Sequence, residues 1–273
     1  MRISEKECKS IMVKSKLPDA DYVINPYVGC CHQCIYCYAQ FMSRFTGHAG
    51  EQWGSYMDIK RGGELIKKDL SGKTVLLGSV TDPYNPLEKK YGATRQILQK
   101  LLRENTNANI EILTKSPLVV RDIDLLRQFD NIRIGISLST MDAVFAKRIE
   151  KNVVSPQERV DAMKELHRNG IRVYAFVSPI FPLTDGWKQV VDQVREYADL
   201  ICFENLNLRA NYKYEVLEMI REFYPDKYDA YVSLYSNPGT LRAYWESLAT
   251  EIGNYLGETA HKLYFFHDEI KKK

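Results

Sequence analysis

Short apolar segments alternate with amphipathic segments along most of this chain. Between the apolar segments, hydrophobic residues recur at helical spacing, as they do at Ile97, Leu98, Leu101 and Leu102. The apolar, β-rich runs predict six strands, at Tyr22–Asn25, Thr74–Val80, Asn109–Thr114, Ile132–Ser139, Arg172–Ser178 and Leu200–Asn205. Six alternations of strand and helix indicate a parallel sheet with right-handed crossovers.

The sequence contains capping signals for both ends of one predicted helix. Ser155 has the character of an N-cap, Pro156 suits the first helical position, and Glu158 follows at the spacing of a capping box. Asn169 and Gly170 then predict a C-terminal cap just before the next strand.

The order of these elements favours an α/β fold, a partial (β/α)6 TIM-like barrel, over a closed barrel of eight units. We expect this barrel to occupy residues 1–210. The aromatic segment 211–273 is helical in pattern and is expected to cap the same domain. In such folds the loops after the carboxyl ends of the strands form the active face, so the loop 26–40 after the first strand is the first place to look for chemistry.

Composition narrows the functional classes only a little. The 273 residues are 45% hydrophobic and carry a formal net charge of +3, which neither requires nor excludes nucleic acid as a partner. No apolar run approaches the roughly 18 residues of a membrane span, and the amino-terminal segment has no apolar signal core. We therefore expect a cytoplasmic protein, where clustered cysteines bind metal more often than they form disulfides.

Four of the six cysteines lie in the stretch NPYVGCCHQCIYCYAQ, residues 25–40. Cys30, Cys34 and Cys37 give the spacing C-x3-C-x2-C. Starting instead at Cys31 gives C-x2-C-x2-C, which resembles half of a ferredoxin site but lacks the fourth ligand in a Cys-Pro pair.

These cysteines alone leave the identity of the metal open. Zinc held by Cys31, His32, Cys34 and Cys37 is one interpretation, although zinc sites usually combine two separated ligand pairs. The other is a four-iron cluster held by three thiolates. That arrangement leaves one iron without a protein ligand, and an open metal position is what catalysis requires.

The spacing C-x3-C-x2-C with an aromatic residue, Tyr36, before the last cysteine resembles the radical S-adenosylmethionine (SAM) superfamily. Further blocks between residues 25 and 205 resemble its spore photoproduct lyase-like subgroup: NPYVGC-x-HQCIYCYA, GSVTDPYNPLEKKYGATR, LTKSPLVVRDIDLL, GISLSTMD, RIEKNVVSPQERVDAMKELHRNGI and VYAFVSPIFPLTDG. The resemblance assigns a [4Fe–4S] cluster to Cys30, Cys34 and Cys37, with Cys31 as a neighbour.

The same resemblance implies the residues that contact S-adenosylmethionine. They are Tyr36, Tyr38, Ser79, Lys115, Ser137, Ser139, Glu150 and Arg159. Ser137 and Ser139 alternate on one strand and so share a face, where they either hydrogen-bond a ribose or are satisfied core hydroxyls. Glu150 and Arg159 match a charged pair of the family, and the alternative is a surface salt bridge between neighbouring helices.

Cys202 and Glu204 share one face of the sixth predicted strand. If that face points into the barrel, Cys202 is placed to donate a hydrogen atom to a carbon radical. The alternative is that Cys202 is a small buried hydrophobic residue.

The resemblance implies a radical SAM enzyme. Its reduced cluster passes one electron to S-adenosylmethionine, and the resulting 5′-deoxyadenosyl radical abstracts hydrogen from a substrate. The expected partners are an electron donor such as flavodoxin or ferredoxin and a small-molecule, peptide or nucleotide substrate. Spore photoproduct lyase itself is not expected, because its family pattern has a hydrogen-donating cysteine just before the strand-two serine, where this chain has Gly78.

Two alternatives remain beside this reading. One is a nucleic-acid repair or modification lyase, whose basic residues would have to gather on one face, in the runs LIKKDL, LEKKY and IKKK. The other is a non-enzymatic iron–sulfur carrier or sensor, which would need a complete set of protein ligands.

Overall fold

The computed structural model describes residues 1–66, 69–104, 107–208 and 212–266, and these residues form two β-sheets. The strands are β1 (Arg2–Ser10), β2 (Met12–Lys14), β3 (Tyr22–Ile24), β4 (Tyr27–Val28), β5 (Tyr56–Glu64), β6 (Thr74–Leu77), β7 (Asn109–Thr114), β8 (Ile132–Ser137), β9 (Arg172–Ile180), β10 (Leu200–Asn205) and β11 (His261–Tyr264). The larger sheet has the order β11-β10-β9-β8-β7-β6-β3-β2, and the smaller sheet has the order β1-β5-β4.

Helices connect the strands of the larger sheet and follow them. The α-helices are α1 (Glu88–Tyr91), α2 (Ala93–Arg103), α3 (Ile123–Leu126), α4 (Ala143–Ile149), α5 (Pro156–Arg168), α6 (Gly186–Val194), α7 (Tyr212–Phe223), α8 (Tyr228–Ser236) and α9 (Pro238–Leu256). Short 3₁₀ helices span Tyr38–Phe45, Pro117–Asp122 and Pro225–Lys227.

The larger sheet confirms the predicted α/β partial barrel. From β3 through β6, β7, β8, β9 and β10 every neighbouring pair is parallel, and these six strands are the six predicted from the sequence. The sheet is open, because its order begins with β11 and ends with β2, which pairs antiparallel with β3.

Five strands were not expected. β11 lies parallel to β10, so the carboxyl-terminal extension adds a strand to the barrel as well as helices. β1 pairs with β5 over most of its length, and β4 pairs with β5 on the other side. The segment RISEKECKS of β1 is charged and mostly exposed, and therefore lacks the apolar alternation that reveals a strand.

The two faces of the barrel strands differ in chemistry. Alternate residues such as Ile110, Ile112 and Ile134 are buried in the main hydrophobic core with Leu98 of α2 and Val160 of α5. The residues between them turn to the opposite face by the period-two rule. The inner face of the barrel therefore carries the polar and aromatic side chains.

The carboxyl-terminal extension shares the core of the barrel. Trp245 and Ile252 of α9, together with Phe265 after β11, belong to the same hydrophobic cluster as the barrel strands. In a second cluster, Val216 and Met219 of α7 pack with Ile35 of the cysteine loop, where NPYVGCCHQCIYCYAQ lies. We propose from this packing that the extension is part of one domain; residues 209–211, where the expected boundary falls, lie outside the described residues.

The caps of α5 match their prediction. Ser155 accepts a hydrogen bond from the backbone N–H of Glu158, and the Glu158 side chain accepts one from the Ser155 backbone N–H, which completes the capping box. At the other end Gly170 has a φ of +74°, the left-handed conformation that glycine adopts at helix ends.

The structure bears on two expectations from the sequence, the absence of a membrane span and the basic runs. Across the described ranges, none of the helices has the length and apolar character that crossing a membrane demands. Of the three basic runs, Lys67 and Lys68 of LIKKDL and the whole terminal IKKK lie outside the described residues. The residues EKKY of LEKKY form α1.

We predict that Gly135→Ala destabilises the protein. A Cβ at Gly135 would lie 2.2 Å from Cζ of Tyr174, a side chain fixed between neighbouring strands. Such overpacking costs about 3 kcal/mol in the free energy of unfolding. Gly253→Ala is the matched control: a Cβ at this position inside α9 meets nothing within 4 Å, and alanine there stabilises a helix by up to about 1 kcal/mol. Urea unfolding monitored by circular dichroism measures both, and equal stabilities would contradict the prediction.

Candidate active site

The cysteine loop follows β3 and is held at several backbone positions. Thr81 Oγ1 donates a hydrogen bond of 2.6 Å to the carbonyl of Gly29. Asn152 Nδ2 donates to the carbonyl of Cys31 at 2.9 Å, and Cys34 forms an antiparallel bridge with Glu150. The loop is therefore fixed from two sides, by the segment after β6 and by the segment after α4.

His32 links those two segments. Its Nε2 lies 3.0 Å from Asp82 Oδ2, and its Nδ1 lies 3.3 Å from the carbonyl oxygen of Asn152. Asp82 also accepts hydrogen bonds from Thr114 Oγ1 and the Lys115 backbone N–H. Burial disfavours the charged carboxylate, but the contacts with His32 and the other donors keep the pKa of Asp82 below its ordinary value.

These contacts do not suit the zinc interpretation, because both ring nitrogens of His32 already face a protein partner. Within the described ranges, no three His, Cys, Asp or Glu side chains are grouped as a single metal ion would require.

Three thiols of the loop influence one another. Burial raises the pKa of Cys30, Cys34 and Cys37. Beyond burial, the pKa of Cys30 is raised by Cys37, Asp82 and Cys31, and that of Cys34 is raised by Glu150 and, less strongly, by Cys37 and Cys30. Buried thiols lose their protons only where a cation compensates the charge. The donor set therefore fits an iron–sulfur cluster bound by three thiolates.

Cys31 has different surroundings. It packs with Tyr27, Met57 and Ile59 in a small hydrophobic cluster, and its Sγ lies 3.7 Å from Asn85 Oδ1. Burial raises the pKa of its thiol to about 11. The packing favours the C-x3-C-x2-C spacing that begins at Cys30.

A buried carboxylate lies beside the loop. Glu150 Oε2 is 2.8 Å from Arg159 Nη2, and its Oε1 is 3.3 Å from Lys115 Nζ and accepts a hydrogen bond from the Tyr36 hydroxyl. Burial favours the neutral acid, yet the charges of Arg159 and Lys115 hold the pKa of Glu150 at about 2. The alternative of a surface salt bridge is wrong, because both Glu150 and Arg159 are only 1% exposed.

Two serines extend this network along β8 and the residues that follow it. Lys115 Nζ donates to Ser137 Oγ at 2.5 Å, and Arg159 Nη1 donates to the Ser137 carbonyl at 2.9 Å. Ser139 Oγ donates to the Ser178 carbonyl at 2.7 Å and lies 3.3 Å from the Tyr36 hydroxyl. The structure thus brings six of the predicted cofactor residues into one network: Tyr36, Lys115, Ser137, Ser139, Glu150 and Arg159.

The other two predicted residues meet at the ends of β3 and β6. Asn25 Nδ2 donates to Ser79 Oγ at 2.9 Å, and the Tyr38 hydroxyl donates to the Ser79 carbonyl. Tyr38 is half exposed, so this pair lies at the rim of the site.

The backbone at Gly78, just before Ser79, leaves no room for a side chain. Its φ is +95°, and a Cβ there would lie 2.6 Å from the Leu113 carbonyl oxygen and 2.7 Å from Pro83 Cδ. A side chain at this position requires the backbone to move, so the position is restricted to glycine.

Cys202 and Glu204 lie on the face of β10 opposite Ile201 and Phe203, which belong to the main hydrophobic core. Glu204 Oε2 accepts a hydrogen bond of 2.5 Å from Ser178 Oγ. Cys202 is 3% exposed, and burial raises the pKa of its thiol to about 12 despite the opposing charge of Arg133. The thiol therefore keeps its hydrogen at neutral pH.

Sequence reasoning missed the residues that hold the loop in place, chiefly Asp82 and Asn152. The signal at Asp82 was its place in the block GSVTDPYNP, directly after a strand, where an Asp before Pro favours a turn. Asn152 gave no sequence signal, since its contacts are formed only in the folded protein.

The open barrel, the three thiols on the loop after its first parallel strand and the buried polar network beside them are typical of an enzyme whose site lies at the carboxyl ends of the strands. Residues 24–194 match the model of the radical SAM superfamily, and the chain belongs to that superfamily. The protein is therefore a radical SAM enzyme, as predicted, and its cofactors are a [4Fe–4S] cluster and S-adenosylmethionine.

Beyond this family match, the chain is also similar to other proteins and solved structures. An uncharacterised protein of Methanocaldococcus jannaschii is 34% identical over 254 residues, which cover 92% of this chain and 93% of that protein. A radical SAM Nα-GlyT isomerase of Pseudomonas phage M6 is 29% identical over 162 residues, 58% of this chain and 32% of that protein. Spore photoproduct lyase complexed with dinucleoside spore photoproduct has the same fold, with a TM-score of 0.60 and 15% identity over 96% of this chain and 82% of that chain.

We predict that Glu150→Gln destabilises the protein by about 3 kcal/mol, because it leaves the cations of Arg159 and Lys115 buried without a counter-charge. Glu215→Gln is the control. Its ion pair with Lys151 is half exposed, so its removal should change the stability by less than about 0.5 kcal/mol. Chemical unfolding of the iron-free protein measures both changes, and equal effects would contradict the prediction.

Proposed function

We propose that this protein binds a [4Fe–4S] cluster through Cys30, Cys34 and Cys37 and uses it to generate a radical that abstracts hydrogen from a substrate inside the barrel. The observation that carries the proposal is the placement of these three thiols on the loop that follows β3, while Cys31 packs into an apolar cluster. When bound, the cluster supplies the electron that cleaves S-adenosylmethionine to methionine and a 5′-deoxyadenosyl radical.

The buried network is proposed to shape the cofactor pocket. Glu150 orients the Tyr36 hydroxyl and the Lys115 ammonium group, and the Lys115 Nζ lies 5.8 Å from the centre of the Tyr36 ring. Fixed in this way, the Tyr36 ring offers an adenine one rigid apolar surface. Ser137, Ser139 and Arg159 complete the polar wall that would face the ribose.

The rim of the barrel is proposed to bind the other end of the cofactor. Ser79 and Tyr38 lie there with Asn25, whose Oδ1 also accepts a hydrogen bond from the Val80 backbone N–H. Cys202 is proposed as the hydrogen donor to a substrate radical. Support comes from its protonated thiol and from its place on the same inner face as Glu204.

Alanine substitutions of the three ligands distinguish this proposal from its alternatives. Cys30→Ala, Cys34→Ala and Cys37→Ala should each reduce the iron bound after anaerobic reconstitution at least about tenfold and abolish 5′-deoxyadenosine formation, because each removes one of three thiolates. Cys31→Ala is the matched control and should retain both. Iron analysis and chromatography of the dithionite-reduced protein with S-adenosylmethionine give the two readouts.

The outcome also separates the functional classes. An iron–sulfur carrier or sensor would assemble a cluster but form no 5′-deoxyadenosine in the wild-type protein. Loss of iron in Cys31→Ala with retention in Cys30→Ala would assign the other spacing. An electron donor such as flavodoxin or ferredoxin is proposed to replace dithionite physiologically.

A nucleic-acid substrate is a second candidate, and one surface favours it. Phe41 and Phe45 of the 3₁₀ helix after Cys37 are 47% and 75% exposed, and Tyr38 stacks on Phe41 with ring centres 6.4 Å apart. Exposed aromatic rings beside a reaction site are typical of proteins that stack the bases of single strands.

The double variant Phe41→Ala/Phe45→Ala tests this candidate. If the rings stack on bases, the affinity for a fluorescent single-stranded oligonucleotide should fall at least about tenfold, since stacking contributes about 1–3 kcal/mol per base. Tyr214→Ala, which removes an exposed ring from α7, is the control and should bind as the wild type does. Anisotropy titrations at several salt concentrations provide the measurement; wild-type protein without salt-dependent binding would reject a nucleic-acid substrate.

A further inference from the structure

A cross-strand row of side chains leads from the proposed cofactor pocket to Cys202. Ser137 of β8 is in register with Phe176 of β9, and Phe176 is in register with Cys202 of β10. Neighbouring strands lie about 4.8 Å apart, so Phe176 stands between two residues whose backbones are about 10 Å apart. Ser137 belongs to the buried network of Lys115, whereas Cys202 is the proposed hydrogen donor.

Two aromatic rings meet over the strand that carries Cys202. Phe176 lies on β9 and Tyr264 on β11, which are the two neighbours of β10 in the sheet. Their ring centres are 6.1 Å apart with an angle of 67° between the ring planes. Because two strand spacings, about 10 Å, separate β9 from β11, the rings lean towards each other across β10. This places Cys202 beneath the ring pair and accounts for its exposed fraction of only 3%.

Asp19 holds the Tyr264 ring from the opposite edge of the sheet. It lies in the segment between β2 and β3, and β2 is the last strand of the sheet order that begins with β11. Asp19 Oδ2 accepts a hydrogen bond of 2.9 Å from the Tyr264 hydroxyl and lies 3.2 Å from Lys262 Nζ. These contacts therefore bridge the open side of the barrel.

A cover over a hydrogen-donating thiol has a chemical purpose. The S–H bond is weaker than most C–H bonds, so a thiol that faces the barrel interior would quench a carbon radical before a substrate could react with it. In that transfer the S–H bond of Cys202 breaks, a C–H bond forms and the unpaired electron passes to the sulfur. The radical would be lost without any substrate being converted.

We propose that Phe176 and Tyr264 form an aromatic gate that keeps the Cys202 thiol out of the barrel interior in the substrate-free protein. The hydrogen bond from Tyr264 to Asp19 holds the gate closed. This inference rests on the proposed role of Cys202 as the hydrogen donor. Phe176 and Tyr264 are positioning residues, because they act by controlling the approach to the sulfur.

Alkylation by N-ethylmaleimide tests the gate in the full-length, iron-free protein, with each cysteine followed separately by peptide mass spectrometry. In the wild type, Cys202 should react far more slowly than it does after unfolding in urea. Tyr264→Phe keeps the ring but removes a hydrogen bond to a charged group, so the alkylation rate of Cys202 should rise about tenfold. Phe176→Leu removes the other ring of the gate and should also raise the rate.

A matched variant and an internal reference control for general loosening. Tyr255→Phe removes a hydroxyl that donates to Asp192 at 2.8 Å on the surface of α9, and it should leave the rate at Cys202 unchanged. Cys31, which is 8% exposed and packs in a separate apolar cluster, is the reference within each protein. Its alkylation rate should be the same in the wild type and in both gate variants.

A second readout follows the hydrogen itself. The reconstituted protein is reduced by dithionite in D₂O with S-adenosylmethionine and without substrate, after the thiol hydrogens have exchanged with solvent. The fraction of 5′-deoxyadenosine that carries deuterium should be higher in Tyr264→Phe and Phe176→Leu than in the wild type. Adding Cys202→Ala to either variant should remove this excess, because the exchanged thiol is its source.

The outcomes separate this inference from the proposed function. A wild-type protein that forms no 5′-deoxyadenosine refutes the proposed function, whereas the alkylation measurement needs neither cluster nor cofactor. Alkylation of Cys202 at the same rate in the wild type and in both gate variants refutes the inference alone. A rise at Cys202 and Cys31 together would show general loosening and would also overturn the gate.

Discussion

The burial of one ionised carboxylate is the constraint on which the site depends. Glu150 forms a backbone bridge with Cys34 and balances the charges of Arg159 on α5 and Lys115 after β7. Removing an ion from water is costly, and the cost is recovered only when each partner is held in good geometry. The carboxylate therefore ties the cysteine loop, a barrel strand and a helix into one arrangement, and it also directs the hydroxyl of Tyr36.

The barrel and the position of its reactive loop were predictable from the sequence because short apolar, β-rich segments alternate with segments of helical periodicity. The helix at Ser155 was equally readable, since its capping contacts are local. The strand β1 was not, because it is charged and exposed and is recognisable only by its pairing with β5. The sequence was informative where burial or local capping contacts determine an element. It was uninformative where the element depends on pairing with a strand that is distant in sequence.

The same distinction applies within the site. The cysteine spacing carried the family resemblance and pointed to the loop, whereas the neighbours that fix the loop are distant in sequence. Asp82 and Asn152 reach His32 from different crossovers, and no local rule links them. The burial of Arg159 was also beyond sequence reasoning, because an arginine in an amphipathic helix normally faces solvent. Whether a charged residue is buried in the barrel can be recognised only after the fold shows which strand ends lie close together.

The backbone conformation at Gly78 limits which residues can replace this glycine. Its left-handed conformation and its tight fit between Leu113 and Pro83 mean that a thiol cannot be gained there by exchanging one residue alone. The Pro83 turn and the end of β7 would first have to separate. Gaining any side chain at this position is thus a matter of main-chain rearrangement and not of a single point mutation.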